Sequence, residues 1–199
     1  MTNEFLAAIK QRRTYYGIGK EIQVTEERIQ EIAELAVQHT PSAFNSQSAR
    51  AAVLFGAHHD TLWHIVMEAL RAIVPVGTFA KTEEKVNAFA AGAGTILYFE
   101  DMAVVEMLQK TYAPYKDNFP VWSMQSNGML QLAVWTALEQ EGLGASLQHY
   151  NPLIDESVKV RWNLPDSWKL MAQMPFGAVM APPDERTFIP IQERVRVFR

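Results

Sequence analysis

Three features of the sequence predict an α+β layered fold. Its β-patterned runs are few, three or four in all, and lie far apart: Ala51–Phe55, Gly94–Glu100, Trp168–Val179 and the tail IPIQERVRVFR. Helical patterns of unequal length and number separate them, unlike the regular alternation that builds a wound parallel sheet. One helix, Val121–Glu141, is apolar all round, which suits the centre of a molecule or a subunit interface.

Taken in order, residues 3–13 read as a helix with Phe5, Leu6 and Ile9 on one side and Arg12–Arg13 at its end. Thr25 is placed to cap a second helix, in which Ile29, Ile32, Ala33 and Ala36 keep the i, i+3, i+4, i+7 spacing. Pro41 ends it, and Pro41–Ser48 (PSAFNSQS) is a polar loop. After the buried strand Ala51–Phe55, Asp60 or Thr61 is expected to cap a third helix with the stripe Leu62, Ile65, Val66, Ala69 and Ile73, closed by Pro75. Thr82–Ala91 reads as helix and Gly94–Glu100 (GTILYFE) as a strand. Asp101 starts a helix through Lys110, and Tyr112–Pro120 is loop. Gly142 suits the C′ position of the long apolar helix. A short helix, Asp155–Trp162, closes at Pro165. Trp168–Val179 is a strand with a kink near Pro175 and Gly177. In the tail, alternation puts Gln192, Arg194 and Arg196 on one face and Val195 and Val197 on the other, as in a strand that needs a sheet to lie against.

The 199 residues are expected to form a single domain, 1–199. No apolar run approaches the ~20 residues of a membrane span, and the first residues, MTNEFLAAIKQRRT, lack the apolar core of a secretory leader. Cysteine is absent, which removes disulfides, thiolate metal sites and cysteine nucleophiles, and a cytoplasmic location is the expectation. A net charge of −4 offers no basic field for DNA, RNA or an anionic membrane. The 11% aromatic content and nine methionines fit a roomy apolar pocket or a large interface as well as a core.

No phosphate loop is present. The pairs Gly17/Gly19, Gly92/Gly94 and Gly142/Gly144 lack the third glycine of a dinucleotide fingerprint. His58, His59, Asp60 and His64 could be read as metal ligands, but a polar helix start with Asp60 as cap and His64 in solvent is the simpler reading. The adjacent guanidiniums of Arg12 and Arg13 suit a phosphate, although a basic helix C-terminus is also favoured by the macrodipole. Arg194 and Arg196 add a second pair; if the chain ends converge, four guanidiniums surround one anion. Ser42, Asn45, Ser46 and Gln47 offer donors and acceptors that suit the edge of a flat heterocycle, or simply form a polar turn.

The order RRT, PSAFNSQ, KVNAFAAGAGTILYFED, LEQEGLGASLQHYNPLID and a basic ERVRVF tail resembles the FMN-dependent nitroreductase family over nearly the whole chain. More narrowly it is similar to the subgroup called homologous to bacterial nitroreductases, or fatty-acid-repression-mutant-like. The resemblance implies a small antiparallel or mixed sheet flanked by helices, and a homodimer whose C-terminal segment crosses to the partner. It implies FMN as cofactor, NADH or NADPH as reductant, and a nitroaromatic, quinone or similar small acceptor in a ping-pong cycle.

By the same resemblance Arg12, Arg13 and Thr14 hold the phosphate and ribityl chain, and Asn45 and Gln47 form the N-x-Q pair. Ser146, Leu147 and Gln148 lie by the ring, with His149 as a possible proton relay, and Arg194 and Arg196 close on the phosphate. Thr14 stands where the wider family has Ser, Tyr16 where it has a further Arg, and Ser48-Ala49 where it has Pro-Trp. Backbone N–H groups near Gly144–Ser146 are expected to stabilise a reduced anion. Trp122, Phe119, Tyr115 and Phe79 are lid candidates that would serve equally as core. A flavin-binding sensor or regulator without turnover, and a flavin-free dimeric scaffold, are the alternative functions.

Overall fold

A computed structural model describes residues 3–199. Its centre is an antiparallel sheet of β1 (Ile18–Gly19), β2 (Ala49–Phe55), β3 (Gly94–Asp101), β4 (Leu143–Ala145) and β5 (Trp168–Val179), in the order β1-β5-β3-β2 with β4 also paired to β5. Around it run α1 (Glu4–Gln11), α2 (Glu26–His39), α3 (Gly56–Arg71), α4 (Phe79–Ala90), α5 (Met102–Thr111), α6 (Phe119–Gln140), α7 (Asp155–Trp162) and the single turn α8 (Ile191–Arg194).

The centre of GTILYFE, Ile96–Phe99, is apolar without alternation because the sheet is covered on both faces. The two-residue period of β3 sends Ile96 and Tyr98 into one core and Leu97 and Phe99 into the other. The first core lies under α2 and α6, where Ile29, Ile32, Leu130, Val134 and Leu138 meet Ala172, Met174 and Phe176 of β5. The second lies under α3, α4 and α7, where Leu62, Trp63, Val66, Phe89 and Val158 meet Leu54 and Leu170. α2 starts as its sequence predicts: Arg28 N–H donates to Thr25 Oγ1 at 3.2 Å.

The expected start of α3 is corrected. Gly56, at φ +50°, turns directly out of β2 into the helix, with no side-chain cap. Asp60 and Thr61 lie one turn inside: Asp60 pairs with Lys20 at 2.9 Å, and the Thr61 hydroxyl donates back to the Ala57 carbonyl at 2.7 Å. His59 is a core residue. Its Nε2–H faces the Ala90 carbonyl at 3.1 Å, so its Nδ1 accepts from the Thr95 hydroxyl at 2.9 Å, and Thr95 in turn accepts from Trp63 Nε1. Burial lowers the His59 pKa and keeps the ring neutral. α4 begins at Phe79 and α6 at Phe119, each a few residues earlier than the pattern suggests, the latter with Pro120 in its first turn, where no donor is needed.

The tail is not a strand. Residues Ile191–Arg194 make one helical turn, 195–199 have no regular structure, and all are exposed. The apolar side chains of Phe188, Ile189, Ile191, Val195, Val197 and Phe198 find no core of their own chain to join. α6 shows the same incompleteness. Val121, Met124, Gly128, Met129 and Leu132 keep helical spacing along an exposed face, and a Cβ at Gly128 would meet nothing within 4 Å.

Candidate functional site

The first helix ends at Arg12, its C-cap, and the chain then turns to run beside β4: Tyr15 N–H donates to the Ala145 carbonyl at 3.0 Å. This turn forms one wall of a groove of about 210 Å3 lined by Arg12, Arg13, Thr14 and Tyr16. Residues Asp184–Arg186 of the C-terminal segment form the other. Arg186 is anchored by donating to the Lys10 carbonyl at 2.8 Å, and Arg13 Nη2 donates to the Asp184 carbonyl.

Arg12 stacks its guanidinium over the Trp135 ring, 4.2 Å from the centroid. Its Nη1 is buried and has no hydrogen-bond partner among the described residues. Burial, and next the charge of Arg186, lower the Arg12 pKa, while Glu139 acts the other way. Glu139 is held near this cluster by its partners: it accepts from Arg13 N–H at 3.4 Å and from the Tyr15 hydroxyl at 3.1 Å. Three guanidiniums, one of them with an unpaired buried donor, border this groove together with Asp184 and Glu185, and such a set of donors is suited to an anion.

The segment after β4 lies next to this groove through the Tyr15–Ala145 bond. Ser146 is buried, and its Oγ accepts from Gln148 Nε2 at 3.0 Å. Gln148 exchanges two backbone bonds with Gln173 of β5, whose side chain also accepts from Tyr150 N–H at 2.8 Å. Leu147 is half-buried on the first core, and His149 is exposed. The expectation of free backbone donors at 144–146 needs correction: Ser146 N–H is given to the Pro175 carbonyl at 3.2 Å.

Asn45 and Gln47 stand elsewhere, on an exposed loop with φ of 50° and 48°. Gln47 N–H donates to Ser42 Oγ at 2.9 Å, and Arg50, paired with Asp101 at 3.0 Å, donates to the Gln47 carbonyl at 2.6 Å. Ser42 and Gln47 border a cavity of about 480 Å3 between α2, the outer strand β2 and the middle of α6. No residue borders both this cavity and the arginine groove. Of the lid candidates, Tyr115, Phe119 and Trp122 gather around Phe44, whereas Phe79 packs in the second core with Arg71 over its ring.

Beneath the loop, Glu100 is buried beside Ser48 and accepts from Asn127 Nδ2 at 2.9 Å, with its Oε2 unpartnered. Burial raises its pKa; Ser48, Asn127 and Arg50 oppose that shift, and Asp101 adds to it. The folded protein therefore holds this proton at pH values where the unfolded chain has released it. The stability this contributes is present below the ordinary glutamate range and is lost as pH rises through the raised value. Glu100→Gln cannot ionise. Its melting temperature is expected to exceed the native one near pH 7.5, with the gap closing toward pH 4; thermal melts across that range check it.

The structure thus brings Arg12, Arg13 and Thr14 into one groove and, through the Tyr15–Ala145 backbone bond, sets their turn beside the strand that leads into Ser146, Leu147 and Gln148. It does not bring Asn45, Gln47, Arg194 or Arg196 to them within one chain. The third guanidinium is Arg186, which the sequence reading missed. The stretch PPDERTF holds it next to two acidic residues that mask its charge, and its position shortly after the last strand was the available clue.

Comparison with known proteins places this architecture. Residues 9–178 match the family model described as the nitroreductase family. HBN1 of Saccharomyces cerevisiae is 35% identical over 187 residues, 93% of each chain, and nitroreductase FRM2 of the same yeast is 33% identical over 190 residues, 94% of each. The structure of nitroreductase CinD from Lactococcus lactis in complex with chloramphenicol superposes with a TM-score of 0.90 at 47% identity, covering 98% of this chain and 100% of that one. A nitroreductase with bound FMN from Desulfitobacterium hafniense, at 18% identity and a TM-score of 0.72, shares the fold. The chain belongs to the nitroreductase family and is an oxidoreductase of the nitroreductase type.

Proposed function

We propose that the protein is an FMN-dependent NAD(P)H oxidoreductase working as a homodimer on nitroaromatic, quinone or related small acceptors. The observation that carries this reading is the buried, unpaired Arg12 Nη1 in a cluster with Arg13 and Arg186: these residues fit a terminal phosphate, with Trp135 fixing the plane of the Arg12 fork. When bound, FMN supplies the two-electron chemistry, taking hydride from NADH or NADPH and giving electrons to the acceptor in alternate half-reactions. Arg12, Arg13, Thr14 and Arg186 bind and orient its phosphate end. Ser146, Leu147 and Gln148, pinned through Gln173, hold the wall beside its ring. Asn45 and Gln47 meet the polar ring edge from a second copy, since the two half-sites share no lining residue in one chain. His149, exposed at the end of this wall, is the group available to relay a proton.

The second copy is supported by the exposed apolar face of α6, by the free outer edge of β2 and by the unaccompanied tail. The tail of a partner, with Val195 and Val197 on one face and Arg194 and Arg196 on the other, has the alternation to pair beside β2 over the 480 Å3 cavity. Arg194 and Arg196 then act across the dimer. Gly128→Leu, which fills the open space on α6, is expected to weaken dimerisation at least about tenfold by overpacking the helix crossing, read by sedimentation at decreasing concentration. This reading places the reaction in the cytoplasm, where reduced nicotinamides are available.

The test is direct. Purified protein binds FMN and is yellow, NADH or NADPH bleaches it without oxygen, and a nitroaromatic restores the colour. Failure to retain flavin at saturating FMN ends the proposal.

A further inference from the structure

Four non-glycine residues have a left-handed backbone among the described residues, and three of them fall in the loop that carries the N-x-Q pair: Phe44 (φ 58°), Asn45 (φ 50°) and Gln47 (φ 48°). Asparagine tolerates this region; phenylalanine does so only where its surroundings compel it. At Phe44 the surroundings are aromatic. Its ring lies 4.8 Å from Tyr112, 5.2 Å from Phe119, 5.9 Å from Tyr115 and 6.0 Å from Trp122, nearly parallel to the last at 20°. These four rings belong to the connection between α5 and α6 and to the first turn of α6.

The far end of the loop is tied differently, by Ser42 Oγ to Gln47 N–H and by Arg50 to the Gln47 carbonyl. Turn bonds from Asn45 N–H to Ser42 and from Ser46 N–H to Ala43 stay inside the loop. Phe44 thus supplies its aromatic anchor to the helical layer. A residue 49% exposed, in a backbone conformation that disfavours it, is poorly explained as a core residue.

We infer that Phe44 is a positioning residue for cofactor binding: its ring, seated among Tyr112, Tyr115, Phe119 and Trp122, holds the loop in the left-handed form that presents Asn45 and Gln47. This rests on the assignment of Asn45 and Gln47 to the flavin. The aromatic seat then couples the α5–α6 connection to the affinity for FMN, because any change that displaces those rings lets the loop relax.

The experiment compares FMN dissociation constants, by flavin fluorescence, for the full-length native protein and the variants F44A, F44G and F44Y, with the melting temperature of each apoprotein. F44Y retains the ring and is expected to bind like the native protein. F44A loses the ring and keeps the conformational penalty, so its affinity falls at least about tenfold. F44G also loses the ring but adopts the left-handed form freely, so it binds about fivefold or more tighter than F44A. A merely structural role predicts that apoprotein melting temperature and FMN affinity fall in step across the series, whereas the positioning role lowers the F44A affinity with its melting temperature little changed. F44G binding no tighter than F44A, F44A within about twofold of native, or F44Y failing to restore affinity overturns the inference while the FMN reading stands. Absence of FMN binding by the native protein overturns both.

Discussion

Arg12→Ala is expected to release FMN. The guanidinium is the best-held donor of the groove, braced on Trp135 with one amino group buried and unpaired, and a hydrogen bond to a charged group is worth about 1.5–3 kcal/mol. The dissociation constant should therefore rise about tenfold to more than a hundredfold. The fold should not suffer in proportion. Arg13 and Arg186 both disfavour charge on Arg12, so its removal relieves repulsion in the apoprotein even as it uncovers Trp135. Arg12→Lys keeps the charge and loses the planar fork and the stack, and should fall between. Equilibrium dialysis against FMN, paired with apoprotein melts, checks the separation. Equal FMN retention by Arg12→Ala and the native protein would remove the phosphate assignment.

Gly177→Ala is expected to produce the largest loss of stability. Gly177 of β5 pairs with Gly144 of β4. A Cβ there would run into the carbonyl oxygen of Gly19 and come within 3.1 Å of the Ala93 amide nitrogen. Both neighbours are backbone, so no rotamer change makes room, and either β1 or β5 must shift. A cost of about 3 kcal/mol or more follows, at or above the upper range for overpacking, which lowers the melting temperature by about 6–12 °C for a chain of this size. FMN retention should fall with it, because β1 carries the arginine turn and β4 carries Ser146–Gln148. Gly77→Ala is the control: nothing lies within 4 Å of a Cβ at that position, and its melt should match the native protein. A native-like melt for Gly177→Ala would show that the three strands do not meet as described.

Much of the architecture was legible because it rests on long, patterned segments. GTILYFE and the kinked Trp168–Val179 stretch carry enough β-branched and aromatic residues to read as strands, α2 declares itself by spacing, and α6 by its length and its apolar residues on every side. What escaped lacks a pattern of its own. β1 and β4 are two and three residues long and are strands only because β5 is there to pair with them. The start of α3 was misplaced because Asp60 and Thr61 look like caps, whereas the actual turn is made by the backbone freedom of Gly56. The alternation of the tail is genuine, but the surface that satisfies it is absent from a single chain. In the site, adjacency made Arg12–Arg13 visible, while Arg186 needed the return of residues 184–186 across the first helix, a tertiary event no local pattern reports. The strain at Phe44 was hidden for the same reason: its partners lie some seventy residues away in the chain.

The pairing of β1 and β4 with the end of β5 also dictates when this protein acquires its chemistry. Ile18 and Gly19 leave the ribosome early, yet their partners, Val179 and Ala178, follow about 160 residues later at the end of the last strand. The arginine turn is therefore carried unplaced through almost the entire synthesis of the chain, and the cradle is closed by its final strand. A nascent polypeptide stalled short of that strand carries the residues of α1 to α7 but lacks the partner of β1, β3 and β4, so on the proposed reading it is expected to retain no FMN and to be colourless.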